Sequence, residues 1–349
     1  MCHHSEGMDL ESIPEQVRLR DVAAAAGVSV STASRVLSGA PGTSPRAVAA
    51  VLAASERLSY RPNLMARGLR ARVTGLAGIV VPGIGNPFFA ELVEALESAL
   101  RDVGLDMLLG DSGGTPSEEA QRLQTLVDRQ VDGLILIPTG HHSSAPAMRR
   151  AHLSVPIVQI DRQVDGFPAD FVGVDNRLGI RLVLEHLAEL GCRTVSFVSD
   201  DATSSTGRSR SEAVQLTVAR MAELELDVTL RGTFSVGFGA AAARTLLRRE
   251  SLADAVLCGS DLIALGLVRE FRAAGVAIPA DVKVTGFDGI LFAEFCDPPL
   301  TTVRQPIQTI ADEAVRLLQT RMGGDHGPAR RSQVAPTLMI RQSTREAQR

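Results

Sequence analysis

A chain of 349 residues is long enough for two or three domains and a large hydrophobic core. With 45% hydrophobic residues, 31 Gly and 17 Pro, it is neither disordered nor collagenous nor a coiled coil. The net charge of −4, from 36 basic and 40 acidic residues, gives as a whole no hint of a polyanionic partner.

That average hides a segregation along the chain. Residues 1–17 carry Glu6, Asp9, Glu11 and Glu15 and no Lys or Arg, and they read as a tail. Residues 18–72 hold nine arginines against Asp21 and Glu56, a net of +7, whereas 73–349 carry a net of −7. A small cationic module is thus joined to a large acidic one, the charge footprint of a nucleic-acid reader or of a plain solvated face. Cys2, Cys192, Cys258 and Cys296 lie too far apart to suggest a disulfide framework or a CxxC zinc site. Cys2-His3-His4 and His141-His142 lack distal ligands, so no metal site is expected. No apolar run has membrane-spanning length and the first twenty residues do not form a signal peptide, so the expected location is cytoplasmic, with no membrane partner.

Leu19, Val22, Ala23 and Ala26 share one helical face, and Gly27 can end that helix by taking positive φ. Ser29 then suits the N-cap of a second helix, Val30 to Leu37. There Ala33, Val36 and Leu37 face inward, leaving Val30, Ser31, Thr32, Ser34 and Arg35 outward. This short, hydroxyl-rich surface ending in arginine fits a DNA major groove. A third helix begins at Ser44-Pro45, with Val48, Val51, Leu52 and Leu58 inward. Two short helices at a Gly turn, buttressed by a third, are helix-turn-helix geometry.

Asp21-Val22-Ala23, Ala26-Gly27-Val28-Ser29, Ser34-Arg35-Val36-Leu37 and Tyr60-Arg61-Pro62-Asn63 together resemble the signature of the lac repressor (LacI/GalR) family. The resemblance implies a homodimeric or tetrameric repressor of a near-palindromic double-stranded operator, controlled by a small-molecule effector, typically a sugar. It implies base contacts from Val30, Ser31 and Arg35, phosphate contacts from Thr32 and Ser34, and seating on the DNA backbone by Tyr60 and Asn63. Tyr60 reads equally well as a core filler. By the same resemblance residues 63–73 are a hinge helix that folds on the minor groove, with Leu69 as the wedge and Met65 and Ala66 beside it. Arg18 departs from the family's hydroxyl cap, and Gly68 weakens the hinge helix.

Beyond residue 73 the chain alternates apolar strand runs with helical patterns. Strands are expected at Leu76–Val81, Asp106–Leu109, Gly133–Ile137, Ile157–Ile160, Phe171–Val174, Thr194–Ser199, Ala255–Cys258 and Val282–Phe287. Continuous apolar strands separated by helices imply parallel sheets covered on both faces, here two of them with a break near residue 173. The expected fold class is α/β: an all-α helix-turn-helix module at 18–62, then a two-lobed type I periplasmic-binding-protein-like domain of parallel sheets at 74–340. The resemblance places three crossovers between its lobes, near 172, 302 and 334, and 341–349 reads as a second tail.

Ligands of such folds bind beyond the carboxyl ends of the strands, in the cleft between lobes. Carboxylates and arginines at those ends can pair with vicinal hydroxyls while Phe rings cover an apolar face. The resemblance makes Phe89, Asp161, Arg210, Phe234 and Asp288 the leading effector residues and Asn86, Phe88, Asp175, Ser260 and Gln305 the next. Ser260-Asp261 and Asp288-Gly289 depart from the family's Asn-Asp and Asp-Asp. The run Asp200 to Ser205 reads as a mobile polar loop. Gly237-Phe238-Gly239-Ala240-Ala241-Ala242 fits a GxGxxA string, but no strand is evident before it. No nucleophile elbow, P-loop or paired acid/base motif is present, so neither catalytic residues nor a cofactor are expected.

Overall fold

A computed structural model of the chain describes residues 17–38, 40–60 and 73–345. The hinge candidates Asn63, Met65, Ala66 and Leu69 therefore lie outside the described residues. The chain divides into two compact units, one ending at Thr74 and one beginning at Gly75.

The first unit contains α1 (Leu19–Ala26), α2 (Val30–Leu37) and α3 (Pro45–Arg57). Val22, Ala23, Ala33, Val51 and Ala54 form its buried centre. Gly27 ends α1 at φ 66°, and its N–H and that of Val28 close back on Ala24 and Ala23. Ser29 caps α2 by accepting the Thr32 N–H at 3.1 Å. At Arg18 the missing hydroxyl cap is replaced in the opposite sense: Asp21 accepts the Arg18 N–H at 2.8 Å. Leu52, expected inward, is instead 53% exposed. Three short helices bury only a narrow stripe, and Val51, Ala54 and Leu58 fill it.

The second unit holds two six-stranded sheets. The first takes β1 (Leu76–Val81), β2 (Asp106–Asp111), β3 (Gly133–Leu136), β4 (Ile157–Ile160), β5 (Asp170–Val174) and the late strand β11 (Arg331–Val334). Its order is β11-β5-β4-β3-β1-β2, with every pair parallel. The second takes β6 (Thr194–Asp200), β7 (Glu225–Gly232), β8 (Ala255–Cys258), β9 (Lys283–Asp288), β10 (Thr301–Arg304) and β12 (Thr337–Met339), in the order β12-β10-β9-β8-β6-β7. Only β12 runs antiparallel to its neighbour.

The connecting helices are α4 (Pro87–Asp102), α5 (Pro116–Asp128), α6 (Ala145–His152), α7 (Asn176–Glu189), α8 (Ser205–Val218), α9 (Val236–Leu246), α10 (Asp261–Ala273) and α11 (Ile307–Met322). On α4, Phe89, Leu92, Val93, Leu96 and Leu100 are all buried, as their spacing predicts. The chain leaves the first sheet after β5, returns to it through α11 and β11, and reaches β12 of the second sheet three residues later. Asp170 on β5 anchors that return: it is 1% exposed and accepts two bonds from Arg321 at 2.7 and 2.8 Å.

Other expectations need correction, among them the strand list, which lacks β7, β10, β11 and β12. Edge strand β7 alternates Leu226, Val228 and Leu230 with polar residues instead of running apolar, and β10, β11 and β12 are only three or four residues long, so none shows the apolar run of the expected strands. Strand β7 ends four residues before α9, so a strand does precede the GxGxxA string; its glycine serves packing, since a Cβ on Gly239 would lie 2.0 Å from the Ile263 carbonyl oxygen of α10. Residues 341–345 are no loose tail: Ser343 and Thr344 are buried, and Ser343 Oγ accepts the Thr301 N–H and donates to the Val284 carbonyl. In the segment after β6, Asp200 accepts the Ser204 hydroxyl at 2.6 Å and the Ala202 N–H at 3.2 Å.

Candidate functional site

Both sheets direct the C-terminal ends of their strands at one cleft. It is lined by Asn86, Phe88 and Phe89 after β1, Asp161 and Arg162 after β4, Thr206 and Arg210 on α8, Phe234 and Ser260 after β7 and β8, and Asp288 at the end of β9. Eight of the ten expected effector residues meet here. Asp175 and Gln305 do not line the cleft. Asp175 caps α7 by accepting the Leu178 N–H, and buried Gln305 donates to Asp288 Oδ1 at 2.9 Å. Arg162 and Thr206 line the cleft although neither is among the expected effector residues. Arg162 had a signal, following Asp161 directly at a strand end, while Thr206 is one hydroxyl among many.

Two non-glycine residues of the cleft hold positive φ, Asp161 at 58° and Asp288 at 114°. Such backbone is unfavourable for a side chain and persists only where surroundings impose it, commonly at binding sites. Around Asp288 the imposing group is buried Asp261, which accepts the Gly289 and Ile290 N–H groups at 2.8 and 2.9 Å and the Thr302 hydroxyl at 2.6 Å. Burial and the nearby Asp288 charge push the Asp261 carboxyl up to about 8.

Arg210 is 2% exposed and fixed on three sides. It donates from Nε to Asn176 Oδ1 at 2.7 Å, from Nη1 to the Gly259 carbonyl at 2.6 Å and from Nη2 to Asp288 Oδ1 at 3.4 Å. Its guanidinium carbon lies 3.6 Å from the centre of the Phe287 ring. Arg162 is held differently, between the rings of Phe89 and Phe234 at 5.5 and 5.9 Å, with Nε 3.8 Å from Asp161 Oδ2. Among the described residues Asp161 Oδ1, Arg162 Nε and Gln305 Oε1 are buried without a hydrogen-bond partner in the protein.

These contacts set the electrostatics. Burial raises the carboxyl of Asp161 against the pull of Arg162 and Arg210. It likewise pushes Asp288 up to about 6, with Arg210 opposing. Burial also lowers the Arg162 guanidinium from its usual value, with Asp161 opposing. Two cations, two carboxylates and flanking rings can grip a compact polyhydroxylated molecule. The free volume is about 20 Å³, little more than one water, so such a molecule enters only if Arg162 swings aside or the lobes part.

In the helix-turn-helix unit, Val30, Ser31 and Arg35 stand exposed while Thr32 and Ser34 are half-buried. Arg35 donates from Nη2 to the Pro41 carbonyl at 2.8 Å, a contact that the sequence does not reveal. Tyr60 packs against the apolar cluster of this unit, which favours its reading as a core filler.

A family model described as bacterial regulatory proteins, lacI family, matches residues 18–63, and a periplasmic binding protein-like domain matches 184–344. The HTH-type transcriptional regulator reg1 of Streptomyces lividans is 34% identical over 340 residues, covering 95% of this chain and 97% of that protein. The ribose operon repressor of Halalkalibacterium halodurans is 32% identical over 329 residues, covering 94% and 97%. Among solved structures, the lac repressor dimer bound to operator and the anti-inducer ONPF superposes with a TM-score of 0.87 at 25% identity, covering 95% of this chain and 99% of that one.

Proposed function

The chain belongs to the lacI family of bacterial regulatory proteins, DNA-binding transcriptional regulators, and from that premise we propose that it is a repressor whose grip on a near-palindromic operator is set by a monosaccharide held in the cleft. The observation that carries this reading is the ring of buried Asp161, Arg210 and Asp288 and partly buried Arg162 beside Phe89 and Phe234. Its orphaned acceptor, Asp161 Oδ1, and orphaned donor, Arg162 Nε, match hydroxyls that both donate and accept. The name of the Halalkalibacterium relative supports a pentose among the candidates.

Phe88, Phe89 and Phe234 would cover the apolar face of the sugar, and Asn86, Thr206 and Ser260 would meet outlying hydroxyls. Gln305 and Asp175 act as positioning residues, the first by holding Asp288. Val30, Ser31 and Arg35 read bases and Thr32 and Ser34 approach phosphates; Asn63, Met65, Ala66 and Leu69 contribute from the hinge segment, and Tyr60 seats the module from the side of its own core. A second copy of the chain is supported by Leu291, Phe292 and Phe295, an apolar surface cluster of which Phe295 is 77% exposed. Sugar binding alters the angle between the lobes and with it the operator affinity, and linkage makes the coupling reciprocal.

The test is thermal unfolding of the full chain against a panel of pentoses and hexoses, followed by gel-shift titration of operator DNA at fixed salt with and without the active sugar. One sugar is expected to raise the Tm and change operator affinity. A chain that binds operator but responds to no member of the panel would overturn the sugar reading.

A further inference from the structure

Away from the cleft, two loops of the first sheet assemble metal-ligating side chains that the sequence keeps apart. His141 and His142 follow β3, Asp165 follows β4, and one ligand atom from each lies within 4.8 Å of the other two. The two imidazole rings are 4.1 Å apart, and His142 Nε2 is 3.9 Å from Asp165 Oδ2. His141 Nδ1 lies 2.7 Å from the carbonyl oxygen of Thr203, which precedes α8 on the second-sheet side. A carbonyl can only accept, so in the neutral ring Nδ1 carries the proton and Nε2 is the nitrogen with the lone pair a metal needs. Metal-bound imidazoles are commonly oriented by such a second bond. The carboxyl of Asp165 is held below the usual range, chiefly by its hydrogen bonds to Arg208, and is ionised at neutral pH.

We propose that His141, His142 and Asp165 form a site for a divalent transition metal at the junction of the two lobes, and that the metal competes with Arg208 for Asp165. Two imidazoles and one carboxylate suit Zn²⁺, Co²⁺ or Ni²⁺ better than the all-oxygen preference of Mg²⁺ or Ca²⁺. A tetrahedral site needs ligand atoms about 3.3 Å apart, so the cluster must contract. The His142 side chain, 73% exposed, is free to do so. Arg208, on α8 of the second lobe, spans the junction with two bonds to Asp165 at 2.7 Å. A dication on the same carboxylate repels that guanidinium, and all three ligands stand on the first lobe. Metal binding therefore loosens this ion pair, one of the ties between the lobes.

The experiment uses the full chain carrying Cys2→Ser, His3→Ala and His4→Ala, which silences the N-terminal trio. Co²⁺ is titrated by visible absorption, and Zn²⁺ displaces it in calorimetry. One equivalent of Co²⁺ is expected, with a nitrogen/oxygen-ligand spectrum free of thiolate charge transfer. His142→Ala and Asp165→Ala should weaken binding by about tenfold or more, and Arg208→Ala should tighten it by up to about tenfold as the carboxylate is freed. Undiminished binding in His142→Ala, a thiolate spectrum, or no binding at millimolar Co²⁺ would overturn the site. Unchanged affinity in Arg208→Ala would overturn the competition.

Discussion

In the unit of residues 17–60, Ser31 and Arg35 stand in solvent around a buried centre of Val22, Ala23, Ala33, Val51 and Ala54. In the two-lobed unit, Asp161, Arg210 and Asp288 are buried, and two of the three hold strained backbone. The difference follows from the ligands each surface suits. A polyanion is attracted by accessible charge at little desolvation cost, and many small contacts accumulate over a long surface. A neutral polyol offers no net charge, so its recognition depends on desolvated, prearranged donors and acceptors. Burying those is tolerable only where Asp261, Gln305 and Asn176 hold them in place.

The largest effect that sharpens this comparison is expected from Asp288→Ala. Removing a buried acceptor should weaken sugar binding about a hundredfold by calorimetry, while operator binding without sugar stays as in the unaltered chain. A matching loss of operator affinity would show that the two surfaces are not independent in this sense. Arg35→Ala, on the exposed side, should cost about tenfold in operator affinity and relax base preference, with sugar binding intact. An unchanged gel shift at fixed salt would remove α2 from the role of reading element.

pH separates the two units in another way. The Asp288 carboxyl lies at about 6 when folded, above its ordinary value, so its contribution to folding is present at low pH and lost as pH rises through 6. In the proposed complex a sugar hydroxyl donates to the anion, so sugar affinity should run in the opposite sense and fall about tenfold between pH 7 and pH 5. Residues 17–60 contain no histidine, and sugar-free operator binding should stay level over the same range. Parallel titrations of both activities measure this directly. The smallest effect is expected from Ser29→Ala, which removes the cap of α2 and costs the head about 1 kcal/mol. Hydrogen exchange should show faster opening of residues 30–38, and protection in the two-lobed unit should be unaltered.

Legibility in the sequence tracked the range of the interaction. Gly27, Ser29 and Pro45 act within a turn or two of chain, and each does in the structure what its chemistry suggests. Strands buried on both faces, such as Leu76–Val81 and Ala255–Cys258, announce themselves as apolar runs. Edge strand β7 does not, because its burial depends on neighbours that local pattern cannot supply. The same holds for Leu52, whose exposure follows from how little three short helices can cover. In the cleft, strand-end position identified most of the ring. It could not separate Asp288, which faces the space, from Gln305, which props it from behind.

By itself, the sequence determined that a cationic helix-turn-helix module precedes a larger acidic α/β domain, because charge segregation, caps and apolar periodicity are local properties of the chain. Only the tertiary structure decided where the long-range contacts fall. It sets Arg162 between Phe89 and Phe234, turns residues 341–345 from a tail into a clasp fixed by buried Ser343 and Thr344, and brings Asp165 to His141 and His142. Each of these joins residues from different strands or lobes. Their proximity is created by strand order and crossover, which no spacing along the chain encodes.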